Sequence, residues 1–169
     1  MVAPYSLDGL DRSIIQLLQK SGRATNSGIA QQLSISEGTV RKRIDRLVTG
    51  GVITLAAVVH PRQIGFAVVG LVAINTEFGR DQTVAQQIAA MDQVSYVGYS
   101  LGVHDLIIQV NCQSVDELNE FVNVRLAHIT GIRSTETTII PRVIKAMHTW
   151  LPPLPGTDTS SGATNGTSS

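Results

Sequence analysis

Cysteine is almost absent from this 169-residue chain: Cys112 stands alone, which excludes an internal disulfide framework and every multi-cysteine metal motif. No stretch approaches the ~18–20 apolar residues of a membrane span, and the opening MVAPYSLDGLDR lacks the apolar region of a secretory signal. His60, His104, His128 and His148 are scattered without metal-ligand spacing, and no glycine-rich phosphate loop occurs. His104 and Asp105 are adjacent, yet neighbours on a strand point to opposite faces and make no relay. These absences argue against an enzyme or a metal protein and suggest a soluble cytoplasmic chain that contacts no membrane. What is present is globular material, 43% hydrophobic and 15% charged, of a length suiting one ordinary domain or two small ones.

Formal net charge is zero but unevenly spread. Residues 1–60 carry a net +3 and residues 61–169 a net −3, and four of the seven N-terminal cations fall within Arg41–Arg46. Sign asymmetry of this kind suggests two modules with different partners, and a compact basic cluster is the footprint that nucleic acid attracts. A solvated helix face is the alternative for the cluster taken alone.

Leu10, Ile14, Leu17 and Leu18 recur at helical spacing, predicting a helix over roughly 8–20 with Asp8 as N-cap, Asp11 three residues on and Ser21-Gly22 as its stop. Thr25 caps a second, short helix from about Asn26 to Leu33 that presents Ile29, Ala30 and Leu33. Ser36 caps a third over roughly 37–49, with Val40, Ile44, Leu47 and Val48 inward and Gly50-Gly51 as its stop. Helix, short helix, tight turn and capped basic helix are the helix-turn-helix arrangement, whose second element enters the major groove. The run VITLAAVV beyond Gly51 reads as a strand and so predicts a winged variant. A purely structural three-helix bundle is the alternative.

Beyond His60-Pro61 the hydrophobic period changes. Strand-like runs at 66–74, 94–101, 105–111 and 132–144 alternate with helical patterns, one from Asp81 to Met91 and one from Ser114 carrying Leu118, Phe121, Val122, Leu126 and Ile129 to Gly131. The β-α-β-β-α-β order predicts a ferredoxin-like unit with both helices on one face of an antiparallel sheet. The first strand is apolar on both faces, so an identical chain is expected to cover the open face, unless the terminal segment of the same chain does so. The whole is α+β: a winged helix-turn-helix domain over 1–60, a ferredoxin-like domain over 61–150, and a tail over 151–169 whose Pro, Gly, Ser and Thr composition reads as disordered.

The two modules together resemble one family. The segment LDGLDRSIIQLLQKSGRATNSGIAQQLSISEGTVRKRIDRLVTGGVI resembles the DNA-binding half of the leucine-responsive regulator/AsnC (Lrp/AsnC) transcription regulators. HPRQIGF, LGVHDLIIQV and ITGIRSTETTII resemble that family's ligand-sensing, oligomerising RAM domain, so the likeness spans roughly residues 7–148. The resemblance implies a homodimer built through the sensing domains, an octamer or another dimer-based assembly, double-stranded promoter DNA as partner, and a small effector, expected to be an amino acid. It places the recognition helix at Ser36–Thr49 and the effector turn at Gly102-Val103-His104-Asp105. An architectural DNA binder of the same fold that senses nothing, and a sensor or scaffold whose helical module binds protein, stay open as alternatives.

Candidate contacts follow residue by residue. Ser36 and Thr39 can offer hydroxyls and helix N-terminal amides, and Arg41, Lys42 and Arg46 are the candidate groove and phosphate contacts. Arg43, beside the inward Ile44, reaches the backbone or pairs with Asp45. Thr25, Asn26 and Ser27 are placed to meet phosphate, and Glu37 suits the helix dipole but repels DNA unless it accepts from a cytosine amino group. For the effector, Asp105 is the candidate partner of an ammonium and Gly102 of a carboxylate, with His104, Thr135, Glu136 and Thr137 as further pocket residues. Gly28 and Gly38, unusual for the family, predict weakened helices at a cost of up to ~1 kcal/mol each.

Overall fold

The computed structural model describes residues 5–145 together with 150 and 151. The tail expected beyond Leu151 therefore lies outside the described residues. The chain divides into two compact units, one reaching to Val58 and including Trp150, the other Val59–Ile144.

The first unit holds α1 (Gly9–Lys20), α2 (Asn26–Leu33) and α3 (Glu37–Thr49). Each begins at the cap that its sequence names. The Asp8 side chain accepts from the Asp11 amide while Asp11 reaches back to the Asp8 amide, Thr25 accepts from the Gly28 amide, and Ser36 accepts from the Thr39 amide. Ile14, Ile29, Ala30, Val40 and Ile44 form the buried core of the three helices. Val48, expected inward, is exposed, because Leu47 takes the buried position at the end of α3. The VITLAAVV run forms no strand: it pairs with no strand among the described residues, and Leu55, Val58 and Val59 are exposed.

The second unit contains β1 (Val68–Thr76), α4 (Asp81–Ala89), β2 (Val94–Tyr99), β3 (Leu106–Cys112), α5 (Val115–Glu120) and β4 (Ile132–Ile140). The strands form one antiparallel sheet in the order β2-β3-β1-β4, the ferredoxin-like arrangement. Val72 and Ile74 on β1 and Leu106, Ile108 and Val110 on β3 alternate onto the face that receives Val84 and Ile88 of α4 and Leu118 of α5. Leu71, Ala73, Ile107 and Gln109 fall on the other face, and β4 stops at Ile140 rather than continuing to Ile144.

The helical pattern after Ser114 is not one regular α-helix. After α5 the chain widens into a π-type turn over Phe121–Arg125 and tightens into a 3₁₀ turn over Leu126–His128. Phe121 and Leu126 are five residues apart, which in a regular α-helix would set them on different sides. The wider turn brings both into the core, where they are 1% and 0% exposed. Gly131 follows with φ +106°, and a side chain there would also stand 2.9 Å from the Arg80 Cβ.

Phe121 is a large, fully buried member of the core, so Phe121→Ala is expected to cost about 3–5 kcal/mol. Urea unfolding of the full chain checks it; a loss below ~1 kcal/mol would mean the core collapses around the gap.

Candidate nucleic-acid interface and effector cleft

The ten residues expected at the DNA surface divide by what their side chains already do. Thr25 and Ser36 are occupied as caps. The Thr25 and Ser27 hydroxyls share a hydrogen bond of 3.1 Å, and those of Ser36 and Thr39 one of 2.8 Å. These four residues shape the starts of α2 and α3. Gly28 also acquires a reason, since a methyl group there would meet the Thr25 hydroxyl at 3.2 Å, against the oxygen that caps the helix. Glu37, Arg41 and Lys42 are exposed and Asn26 is half-buried, and none of the four makes a side-chain hydrogen bond or ion pair with the described residues.

Arg43 and Arg46 behave differently. Arg43 does not pair with Asp45; its guanidinium reaches back to α1, donating to Asp11 Oδ1 at 2.9 Å and to Asp8. Arg46 donates to Asp11 Oδ2 at 3.0 Å, and its guanidinium lies 5.4 Å from the centre of the Tyr5 ring. Asp11 is fully buried, so this N-terminal carboxylate belongs to two arginines of α3 as well as to the α1 cap. Sequence reasoning identified Asp8 and Asp11 as a capping pair but missed their second role. The available signal was two acids three residues apart on one amphipathic helix and two arginines three residues apart on another, each pair lying on one helix side.

In the second unit, the β2–β3 connection carries Asp105. The Asp105 amide donates to the Ile74 carbonyl at 3.0 Å, and the Thr76 amide donates to Asp105 Oδ2 at 2.7 Å. The buried Thr76 hydroxyl adds a bond of 3.1 Å to the same oxygen. The Thr76 amide, then its hydroxyl, then the Arg133 and His104 charges hold the Asp105 carboxyl below the usual aspartate value. Arg133 Nη2 stands 3.9 Å from Asp105 Oδ2. Both line a cleft of about 470 Å³ whose apolar wall is Phe78, Tyr99 and Leu101.

The six expected effector residues do not converge on that cleft. Asp105 lines it. His104 turns to the helix-free face of the sheet, where Nε2 lies 3.4 Å from Glu136 Oε2 beside Leu71 and Ile107 in a second hollow of about 240 Å³. Thr135 and Thr137 pair in register with Ile74 and Val72, on the helix-packed face. Gly102 has an ordinary backbone conformation with open space around it, so nothing local demands glycine there. Arg133, Thr76 and Phe78 are among the cleft residues that the sequence did not point to. Arg133 was detectable as the one cation in ITGIRSTETTII, but its meeting with Asp105 depends on β1 lying between β3 and β4.

Comparison with known proteins accords with this two-part geometry. Residues 7–54 match a winged helix-turn-helix DNA-binding model, and residues 70–150 match the Lrp/AsnC ligand binding domain. The chain is 39% identical over 140 residues to an uncharacterized HTH-type transcriptional regulator of Pyrococcus abyssi, covering 82% of this chain and 89% of that one. It is 31% identical over 138 residues to the regulatory protein AsnC of Escherichia coli, covering 80% and 91%. Among solved structures, E. coli AsnC superposes with a TM-score of 0.78 at 27% identity, over 85% of this chain and 99% of that one. A Neisseria meningitidis transcriptional regulator, solved as an L-Met complex, shares the fold with a TM-score of 0.75 at 20% identity, over 83% and 94%. The chain belongs to the Lrp/AsnC family of transcriptional regulators and joins a winged helix-turn-helix DNA-binding segment to a ligand-binding domain. Among the described residues, no helix is long and apolar enough to cross a membrane.

Arg43 holds the Asp8 carboxyl below its ordinary value, with help from the Asp11 amide. A depressed aspartate contributes stability that is complete above the unfolded value of ~3.9 and is lost as pH falls through the folded value. Asp8→Asn is therefore expected to melt below wild type at about pH 7, with the gap narrowing below about pH 4. Thermal melts of both full-length chains check this, and a gap that stays constant would remove the pH-linked contribution.

Proposed function

We propose that this regulator binds pseudo-palindromic promoter DNA as a homodimer or larger dimer-based assembly, in the cytoplasm and without catalysing a reaction, and that an α-amino acid is its effector. The observation that carries the effector reading is the Asp105–Arg133 pair. A carboxylate and a guanidinium 3.9 Å apart on one cleft wall complement the ammonium and carboxylate of a zwitterion. Asp105 Oδ2 is engaged by Thr76, which fixes the carboxylate and leaves Oδ1 for the ligand. The Neisseria relative's L-Met complex supports an amino acid as the ligand class.

Self-association rests on the open face of the sheet. Leu71, Ala73 and Ile107 give it apolar character, and Ile107 and Tyr96 remain more than a third exposed. A second copy of the chain would remove that surface from water, and two copies would present two helix-turn-helix units to the two halves of a palindromic site. Any ligand shifts DNA affinity only by the difference between its affinities for the alternative assemblies.

The test is calorimetry of the full chain against each amino acid, followed by a salt titration of binding to the DNA upstream of its own gene with and without the best ligand. Tight, selective binding with a steep salt slope and a shift on adding ligand is expected. Arg133→Gln and Asp105→Ala should each weaken the ligand by roughly 10- to 100-fold, the value of a charge-assisted contact. Because the Asp105 carboxyl is held low, wild-type affinity should stay level from about pH 7 to about pH 5. Unchanged affinity in both variants would overturn the site, and no binding by any amino acid would favour an architectural DNA binder.

A further inference from the structure

We propose that Asp11 is a positioning residue for DNA recognition: it withdraws Arg43 and Arg46 from the contacts with DNA and fixes the orientation in which α3 offers Arg41 and Lys42. The basic cluster holds four cations within six positions, and by sequence each is a candidate DNA contact, Arg43 with a pair to Asp45 as its alternative. Helical spacing alone does not divide them, since Lys42 and Arg46 are four residues apart and neighbours on the helix surface. Arg43 and Arg46, three residues apart, both reach Asp11 of α1, whereas Arg41 and Lys42 are exposed.

The side chains complete the division. Asp11 is fully buried and takes Arg43 Nη1 on one oxygen and Arg46 Nη2 on both, at 2.9, 3.0 and 3.3 Å. Asp8 takes a further bond from Arg43, and the Tyr5 ring lies under Arg46. If either arginine turned to a phosphate, it would leave this buried carboxylate less compensated and beside added negative charge. Two acids and two arginines also cancel, so this side of α3 has little charge with which to displace the counterions of DNA. The same bonds join the two helices by charged, directional contacts in addition to the Ile14–Val40–Ile44 core. Asp11 thus sets which two cations of the recognition helix face outward.

The inference rests on the DNA-binding reading of this unit, and the experiment separates the two. The observable is the slope of log K against log salt for the full-length chain, on the duplex upstream of its own gene and on sheared genomic DNA. Arg41→Gln and Lys42→Gln should each flatten the slope by ~0.9 for every DNA-bound protomer, the value of one phosphate contact. Arg43→Gln and Arg46→Gln should leave it unchanged. The isosteric Asp11→Asn should steepen it, as the two arginines become available to phosphate, and should reduce the preference for the upstream duplex over genomic DNA. A slope that flattens by ~0.9 in Arg43→Gln overturns the proposal, as does an Asp11→Asn chain with the wild-type slope and preference. Far-UV circular dichroism checks that each variant is folded. If Asp11→Asn does not fold, the contrast between Lys42→Gln and Arg43→Gln decides. A wild-type chain that binds neither duplex removes the DNA-binding reading and this proposal with it.

Discussion

A carboxylate that loses its water must be met by donors wherever it is buried, and in the helical unit that carboxylate is Asp11. Its position follows from its place in the first turn of α1, where it closes the capping box with Asp8. Having been carried inside by the amphipathic helix, it needs more than one amide as partner. Arg43 and Arg46 supply the charge, and they can do so only if α3 lies against α1 with that side turned inward. The apolar contacts among Ile14, Ile29 and Val40 supply most of the cohesion but are non-directional. The ion-paired cluster adds direction, because charge-assisted hydrogen bonds from two guanidinium groups converge on one carboxylate. Removing one partner of such a buried set is far more damaging than replacing the whole set by apolar groups.

The sheet unit uses the same chemistry with less burial. Asp105 remains partly open to solvent, yet its carboxylate is held by the amide and hydroxyl of Thr76 on the neighbouring strand. A local turn hydrogen bond would have positioned only the loop. This longer link fixes the β2–β3 connection to β1, one of the two central strands of the sheet. The connection can therefore present a charged group at a defined place without a glycine in a strained conformation.

The elements of the fold were legible because helix periodicity, caps and strand runs are local signals. Asp8, Thr25, Ser36 and Ser114 cap the helices that the sequence assigned to them. Legibility ended where distant segments decide the outcome. VITLAAVV is rich in β-branched residues but has no partner strand among the described residues, and β-structure needs one. The widened turn at Phe121–Arg125 reflects the demand of the core for two large side chains five residues apart, which no local propensity encodes. The charged residues were the least legible. A cation at an exposed-looking helical position can serve a nucleic acid or an acid on another helix, and only the packing of α1 against α3 assigned Arg43 and Arg46 to the latter. Likewise, Thr135, Glu136 and Thr137 are adjacent in sequence, but alternation sends Glu136 to one face of the sheet and its neighbours to the other.

That alternation has a consequence for how sensing would work. His104 and Asp105 are consecutive, yet one borders the helix-free face through Glu136 and the other lines the cleft beside Arg133. Under the proposed effector reading, a ligand gripping Asp105 acts on the same stretch of backbone that sets the position of His104. No long chain of intermediaries is needed between cleft and sheet face; they are one peptide bond apart. The strength of such coupling is bounded by how differently the connection sits in its alternative arrangements, since a ligand that binds both equally shifts neither. The hold of Thr76 on Asp105 therefore sets the scale of the response: a connection this firmly tied offers few alternatives, so ligand binding must either preserve that link or replace its two hydrogen bonds.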